Sequence, residues 1–352
     1  MAEVSEHAKP ELSSHERGTQ ATKSGGATKL SWRDGRKVPR AIVRSTDATV
    51  GMNGVVYLRH GGTQEMYAYD TVSDDWSRLP DCPTVGCSIA VIADDLLTTI
   101  GGYHDQQGYS NELFSFTAAG DGGCDTTEPA SWTRRFPPMP TMRYGTTALY
   151  TSAENARLIV AGGWGERGAL NTVEVMNVET EQWFSAAKLP MPTLGSSGAI
   201  CGDHIYLHGG EVYKGHTKHL YTCSLSSLLQ SCSPTSGLES NRGSEHPKDT
   251  RASTVTVWCR SNGRDLPAQI STCVSLNDRL LVVGGYDSGK PVTAIHCHSC
   301  DRSWEIISHM HSARCYSFAV VLGDSSRLVV AGGIVDGTPS DSVEIAAITV
   351  EP

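Results

Sequence analysis

The 352-residue chain is predicted to be an all-β protein built from six repeats. Two observations predict this. Six strand-like runs, "VVYLRHGG", "LLTTIGG", "LIVAGG", "IYLHGG", "LLVVGG" and "LVVAGG", each end in paired glycines, the first of each pair at 61, 101, 162, 209, 284 and 332. Trp32, Trp76, Trp132, Trp183, Trp258 and Trp304 precede these pairs by 29, 25, 30, 26, 26 and 28 residues. Self-similarity at steps of 40 to 75 residues marks a repeat architecture. The distance from a pair to the next tryptophan varies from 15 to 49 residues, so length variation is confined to that part of the unit.

Each unit reads as four strands in order. Strand a is apolar, as in "CSIAVI" or "YSFAVVL". Strand b is the short apolar run that enters Gly-Gly, the pattern of a buried strand. Glycine weakens a strand interior, so a pair at its end marks a turn or a close approach of backbones. Strand c follows, as in "MYAYDTVSDDW" and "NTVEVMNVETEQW"; in the latter Val173 and Val175 alternate with Glu174 and Met176, the period of two that a strand requires. Strand d carries the tryptophan, whose large apolar face suits packing on an adjacent unit. A Pro-bearing or polar turn such as "LPDCP", "FPPMP" or "KLPMP" then leads to the next strand a. The paired glycines and these six tryptophans are marks of the fold. The seventh tryptophan, Trp164, lies outside the pattern.

Composition narrows the class of function. Apolar residues make up 39 % and charged residues 19 %, which suits a globular protein with a substantial core. A net charge of −9 argues against general nucleic-acid binding, which depends on Lys and Arg neutralising phosphates. The stretch "MAEVSEHAKPELSSHERGTQ" has no apolar core of a secretory signal, and no apolar run approaches the ~18 residues of a membrane span. Eleven cysteines without an export signal predict reduced thiols and a cytoplasmic location.

The hydrophobic strand ending in Gly-Gly, the Tyr or Val-Glu strand and the tryptophan together resemble the kelch repeat, over about Leu30 to Thr349. The resemblance implies a six-bladed kelch β-propeller in which each repeat is one four-stranded antiparallel blade. Such a ring leaves only short, protected edges. After Gly333 nineteen residues remain and none is Trp, so the strand near Trp32 is expected to serve as strand d of the last blade and close the circle. Residues 1–29 are then a disordered tail and residues 30–352 the propeller. Two inserts, at about 117–131 and 226–254, fall on the c–d connection and read as mobile loops. Antiparallel order places c–d and a–b loops on one rim and b–c and d–a loops on the other.

The candidate chemistry is sparse. Cys297 and Cys300 in "HCHSCDRSW" have C-x-x-C spacing beside His296 and His298, but no second pair exists to complete four zinc ligands, so no metal is expected. Some kelch-type propellers are enzymes, among them copper radical oxidases, sialic acid mutarotases and iron-dependent nitrile specifiers. Fold alone does not transfer function. Glu245 and Asp249 have the first spacing of an iron-binding run, but Ser253 takes its third place. No His and carboxylate pair is forced by the repeat into a shared pocket, and no cofactor is expected.

Kelch propellers commonly bind peptides or proteins with the b–c and d–a rim. Carried onto this chain, the positions after Gly-Gly include Tyr103, Trp164 and Tyr286, and those after the d–a turn include Arg40, Arg143 and Arg314, with Tyr144 and Tyr316 beside the last two. Arg and aromatic side chains dominate binding hot spots. The expectation is therefore a non-enzymatic protein- or peptide-binding propeller, its ligand an acidic motif held by the three arginines. The alternative is a mutarotase-like or metal-dependent small-molecule enzyme at the channel mouth. No BTB or F-box segment is recognisable, and a ubiquitin-ligase or actin link has no support within this chain.

Overall fold

Six antiparallel sheets stand as blades around one axis. The computed structural model describes residues 28–350 except 42–47, 53, 61, 94–95, 118–129, 153–155, 213–214, 235–256, 261–265, 267, 299–302 and 323–325. Blade 1 comprises Ala48–Met52, Val55–Arg59, Met66–Asp70 and Asp75–Leu79 as strands a to d. Blade 2 comprises Ser88–Ile92, Leu96–His104, Gly108–Thr117 and Ser131–Arg134. Blade 3 has Thr147–Thr151, Arg157–Ala161, Val173–Asn177 and Gln182–Ala186; blade 4 has Ser197–Cys201, His204–His208, Leu220–Ser224 and Cys259–Arg260. Blade 5 has Thr272–Leu276, Arg279–Val283, Lys290–His298 and Trp304–Arg314.

Blade 6 closes the ring. Its strands a to c are Phe318–Val321, Arg327–Ala331 and Val343–Val350, and its outer strand is the N-terminal Thr28–Gly35. Trp32 pairs with Ala346 in an antiparallel ladder running from Thr28↔Val350 to Gly35↔Val343. The closing strand thus starts two residues before the expected boundary. Successive strands a contact one another around the axis, and that of blade 6 contacts that of blade 1.

The core lies between blades, not within them. One apolar cluster joins Val56, Leu58 and Tyr69 of blade 1 to Phe318, Val329 and Ile345 of blade 6. Another joins Met66 of blade 1 to Ile89 and Leu97 of blade 2. Clusters of the same kind join each remaining pair of neighbours. A single blade exposes two apolar faces, so it is stable only when stacked.

Both marks read from the sequence have a local cause. Gly162 and Gly163 have φ of +66° and +97°, and a Cβ on Gly163 would stand 2.9 Å from the Tyr144 carbonyl oxygen. Only glycine meets both the left-handed backbone and that approach without strain. The tryptophans pack between blades and also tie them by hydrogen bonds. Trp76, Trp132, Trp183 and Trp258 donate their indole N–H to the carbonyls of Arg36, Pro80, Pro137 and Ala187, each on the linker leaving the preceding blade. Along the channel, hydroxyls stitch the inner strands: Thr147 donates to the Ser196 carbonyl at 2.6 Å, Ser197 accepts from Cys273 N–H at 2.8 Å, and Thr272 donates to the Ser317 carbonyl at 2.6 Å.

The insert after strand c of blade 4 differs from expectation. Its first part is ordered as a short helix, Leu225–Gln230, capped by Ser224, and a two-residue strand, Ser233–Pro234. That strand pairs with Phe184 and Ser185, adding a fifth strand to the outer edge of blade 3. Leu228 is fully buried in the apolar layer between blades 3 and 4, which is what anchors a segment whose Ser-rich composition predicts a mobile loop. The rest of this insert, with Glu245, Asp249 and Ser253, and most of the 117–131 insert lie outside the described residues.

Candidate functional site

The b–c hairpins and d–a linkers meet on one rim. Isolated β-bridges join them: Val85 to Tyr103, Tyr144 to Trp164, Gln269 to Tyr286 and Cys315 to Ile334. The hairpins of blades 2, 3, 5 and 6 are therefore each held by the linker that enters their own blade. Several are also held by the one that leaves it, since Gly102, Gly163 and Gly285 donate to the carbonyls of Arg143, Thr193 and Arg314.

This framework gathers aromatic side chains over blades 2 and 3. Tyr103 and Tyr109, on the two arms of the blade 2 hairpin, meet edge to face at 5.5 Å. Tyr109 then stacks on Tyr144 with ring centres 5.8 Å apart and planes 8° from parallel. Tyr144 is bridged through its backbone to Trp164, which is 38 % exposed at the start of the blade 3 hairpin. Met142, 46 % exposed, packs its backbone against Gly165 of the same hairpin. The turns of the same two hairpins carry Asp105, Glu166 and Arg167. Tyr286 sits apart on the blade 5 hairpin, its hydroxyl donating to the Gly289 carbonyl at 2.7 Å. Tyr316 lines the channel mouth, its hydroxyl 2.8 Å from His216 Nε2.

The arginines do not form the expected basic pocket. Arg143 and Arg314 are completely buried. Arg143 donates to the carbonyls of Gly162 and Thr172 and pairs with Glu174 at 3.0 Å. Arg314 repeats the arrangement one half-turn of the ring away, donating to the carbonyls of Gly332 and Ser342 and pairing with Glu344. The Glu344 carboxylate also accepts the backbone N–H groups of His311 and Ser312. Both guanidinium groups thus clamp a linker to the next blade and present no donor to a ligand. Arg40 is exposed but paired with Glu65 at 3.2 Å. The direction of each buried arginine is set by a partner, Glu174 or Glu344, that sits on strand c and reads as an ordinary alternating surface position.

Cys297 is buried among Leu281 and Ile295, and burial pushes its thiol up to about 11; Cys300 lies outside the described residues. Among the described residues no three His, Cys, Asp or Glu side chains are arranged to hold a metal ion. No described helix is long and apolar enough to cross a membrane.

Comparison with known proteins agrees with this architecture. Residues 156–190 match the family model described as the Kelch motif. The chain is 24 % identical over 196 residues to Kelch-like protein terF of Aspergillus terreus, a match covering 52 % of this chain and 40 % of that protein. It is 29 % identical over 160 residues to human Kelch-like protein 34, covering 44 % and 24 %. It is 35 % identical over 82 residues to the influenza virus NS1A-binding protein homolog of Xenopus laevis, covering 23 % and 12 %. These matches span less than half the length of those relatives. Among solved structures, one titled "Structure of YjhT" superposes with a TM-score of 0.61 at 17 % identity, covering 90 % of this chain and 99 % of that one, and so shares the fold. The chain is a six-bladed propeller that carries a kelch motif.

Proposed function

We propose that this propeller is a protein-binding module whose partner docks on the rim of blades 2 and 3. The observation that carries the reading is the exposed Trp164 beside Met142 and the Tyr103–Tyr109–Tyr144 stack, all held on paired hairpins and linkers. Rigid aromatic anchors lose little conformational freedom on binding and dominate interface energetics. The resemblance to kelch-like proteins supports the same reading, and one relative is named for binding a viral protein. With Arg143 and Arg314 buried, an acidic motif loses the side chains that were to hold it. The partner segment instead offers apolar or aromatic side chains to the rings.

The test is capture of partners with the intact chain, followed by calorimetry on the binding segment. Trp164→Ala is expected to weaken binding at least tenfold, since removal of a central aromatic anchor costs about 2 kcal/mol or more. Unchanged affinity in both Trp164→Ala and Tyr109→Ala would place the partner elsewhere.

A further inference from the structure

A cavity of about 180 Å³ lies at the rim end of the axial channel. Hydroxyl groups and backbone make up much of its wall, and two side-chain pairs on it can move protons. In the first pair, the Ser271 hydroxyl lies 2.7 Å from His208 Nε2 and 3.3 Å from the Ala268 carbonyl. His208 belongs to blade 4 and Ser271 to the linker entering blade 5, so the contact forms only when the ring assembles.

His208 ends strand b just before Gly209-Gly210, a place held by a histidine in blade 1 as well, His60, and by Ile100, Ala161, Val283 and Ala331 in blades 2, 3, 5 and 6. The two histidines differ in partner: His60 Nε2 lies 3.3 Å from the Ala41 carbonyl, His208 Nε2 2.7 Å from a hydroxyl. An apolar side chain there packs without a desolvation cost, whereas a buried imidazole needs a polar partner. His208 is 1 % exposed, and burial pushes it down to about 4, so at neutral pH the ring is uncharged, one nitrogen carrying a proton and the other a lone pair.

The second pair is Tyr316 and His216, hydroxyl to Nε2, at 2.8 Å. Tyr316 and Ile270 hold φ of +55° and +58°, at the linker step where Gly86, Gly145 and Gly195 hold +63°, +59° and +63°. Neighbouring linkers hydrogen-bond through these residues around the mouth: Gly145 N–H to the Gly86 carbonyl, Gly195 to Gly145, Tyr316 to Ile270. Glycine would satisfy that ring of bonds without strain. What glycine cannot do is carry a phenol into the cavity. Strain kept at two bulky residues, one of them next to Ser271, is the kind that marks a functional site.

We propose that Ser271 is an acylatable nucleophile with His208 as its base, and that the Tyr316 phenol donates a hydrogen bond to the oxyanion of a small neutral ester. None of the lining residues is Asp, Glu, Lys or Arg, which is why the substrate is uncharged. In the step, Ser271 Oγ bonds to the carbonyl carbon while its proton passes to His208 Nε2. The carbon–oxygen bond to the leaving alcohol breaks, and that alcohol takes the proton from His208. Water then attacks the acyl-serine by the same route, releasing the acid and restoring the hydroxyl. His216 is a positioning residue that aims the phenol.

The experiment treats the full chain with diisopropyl fluorophosphate and maps the adduct by mass spectrometry. The serine oxygen replaces fluoride on phosphorus, and the serine proton goes to His208. The expected result is one adduct per chain on Ser271, absent in Ser271→Ala. Its rate should fall at least tenfold in His208→Gln and severalfold in Tyr316→Phe. Combining His216→Phe with Tyr316→Phe should slow the reaction no further than Tyr316→Phe alone. No adduct on Ser271 of the unaltered chain, or a folded His208→Gln that labels at the original rate, would overturn the proposal. The map of the unaltered chain stands even where a variant fails to fold. Neither outcome bears on partner docking, which Trp164→Ala reads separately.

Discussion

Arg314 shows how one side chain can hold a ring together at a cost only its partner offsets. Its guanidinium is fully buried and meets Glu344, which also collects two backbone N–H groups. Removing one member leaves the other charge buried alone, at a cost of about 3–5 kcal/mol. Arg314→Ala and Glu344→Ala are each expected to lower stability by that order in denaturant titrations. Replacing both by Met should cost clearly less than the sum of the two single changes. His208 gives a second expectation at this scale. Its folded pKa, about 4, lies below its ordinary 6.5, so the folded state binds fewer protons than the unfolded one between these values. Its contribution is fully present above pH 6.5 and is lost as pH falls toward 4, up to roughly 3 kcal/mol. Melting profiles at stepped pH should therefore drop more steeply over that window in the unaltered protein than in His208→Gln. Equal profiles would show that the imidazole is not neutralised by burial.

At the scale of elements, the N-terminal strand is the one on which closure depends. Thr28–Gly35 supplies the outer edge of blade 6 through eight paired positions, and Trp32 reaches Ser308 of blade 5 at 2.9 Å. Leu30 packs with Ala319, Leu328 and Ala346, and Val38 with Phe318 and Val343, on either side of the same blade. Deleting residues 1–39 should open the ring and lower the thermal midpoint well below that of a chain lacking only residues 1–27. Equal midpoints for the two deletions would mean that the other blades hold without this strand. The strand order was legible because glycine pairs and tryptophans recur at matched distances. The fifth strand on blade 3 was not: Ser233 and Pro234 carry no strand pattern, and they pair only because the Phe184 edge lies within reach.

At the scale of the whole molecule, the two rims differ in what they can bind. One carries the linker-held hairpins and the exposed Trp164; the other carries the c–d turns. Charge does not decide between them, because the arginines that would have made one rim basic are turned inward. If the aromatic rim is the docking face, deleting residues 235–256 should leave partner affinity within twofold while Trp164→Ala weakens it. The opposite ranking in a binding titration would move the interface to the other rim. The ring also explains why the channel mouth collects residues far apart in sequence. Ser271, His208, Tyr316 and His216 come from blade 4 and the linkers on both sides of blade 5, and only closure brings them to one cavity.

The sequence alone determined the repeat, the number of blades, the strand order and the use of Trp32 to close the circle. These follow from local backbone demands and from one large apolar side chain per unit, and both leave marks that a single chain displays. The tertiary structure decided which way the linker side chains point. Arg143 and Arg314 look like surface residues until Glu174 and Glu344 are seen across the blade boundary, since a buried charge is tolerated only beside its partner. It also decided that Tyr109 stacks on Tyr144, and that His208 meets Ser271, because these contacts cross from one blade to the next linker and depend on the stacking of blades, not on any spacing along the chain.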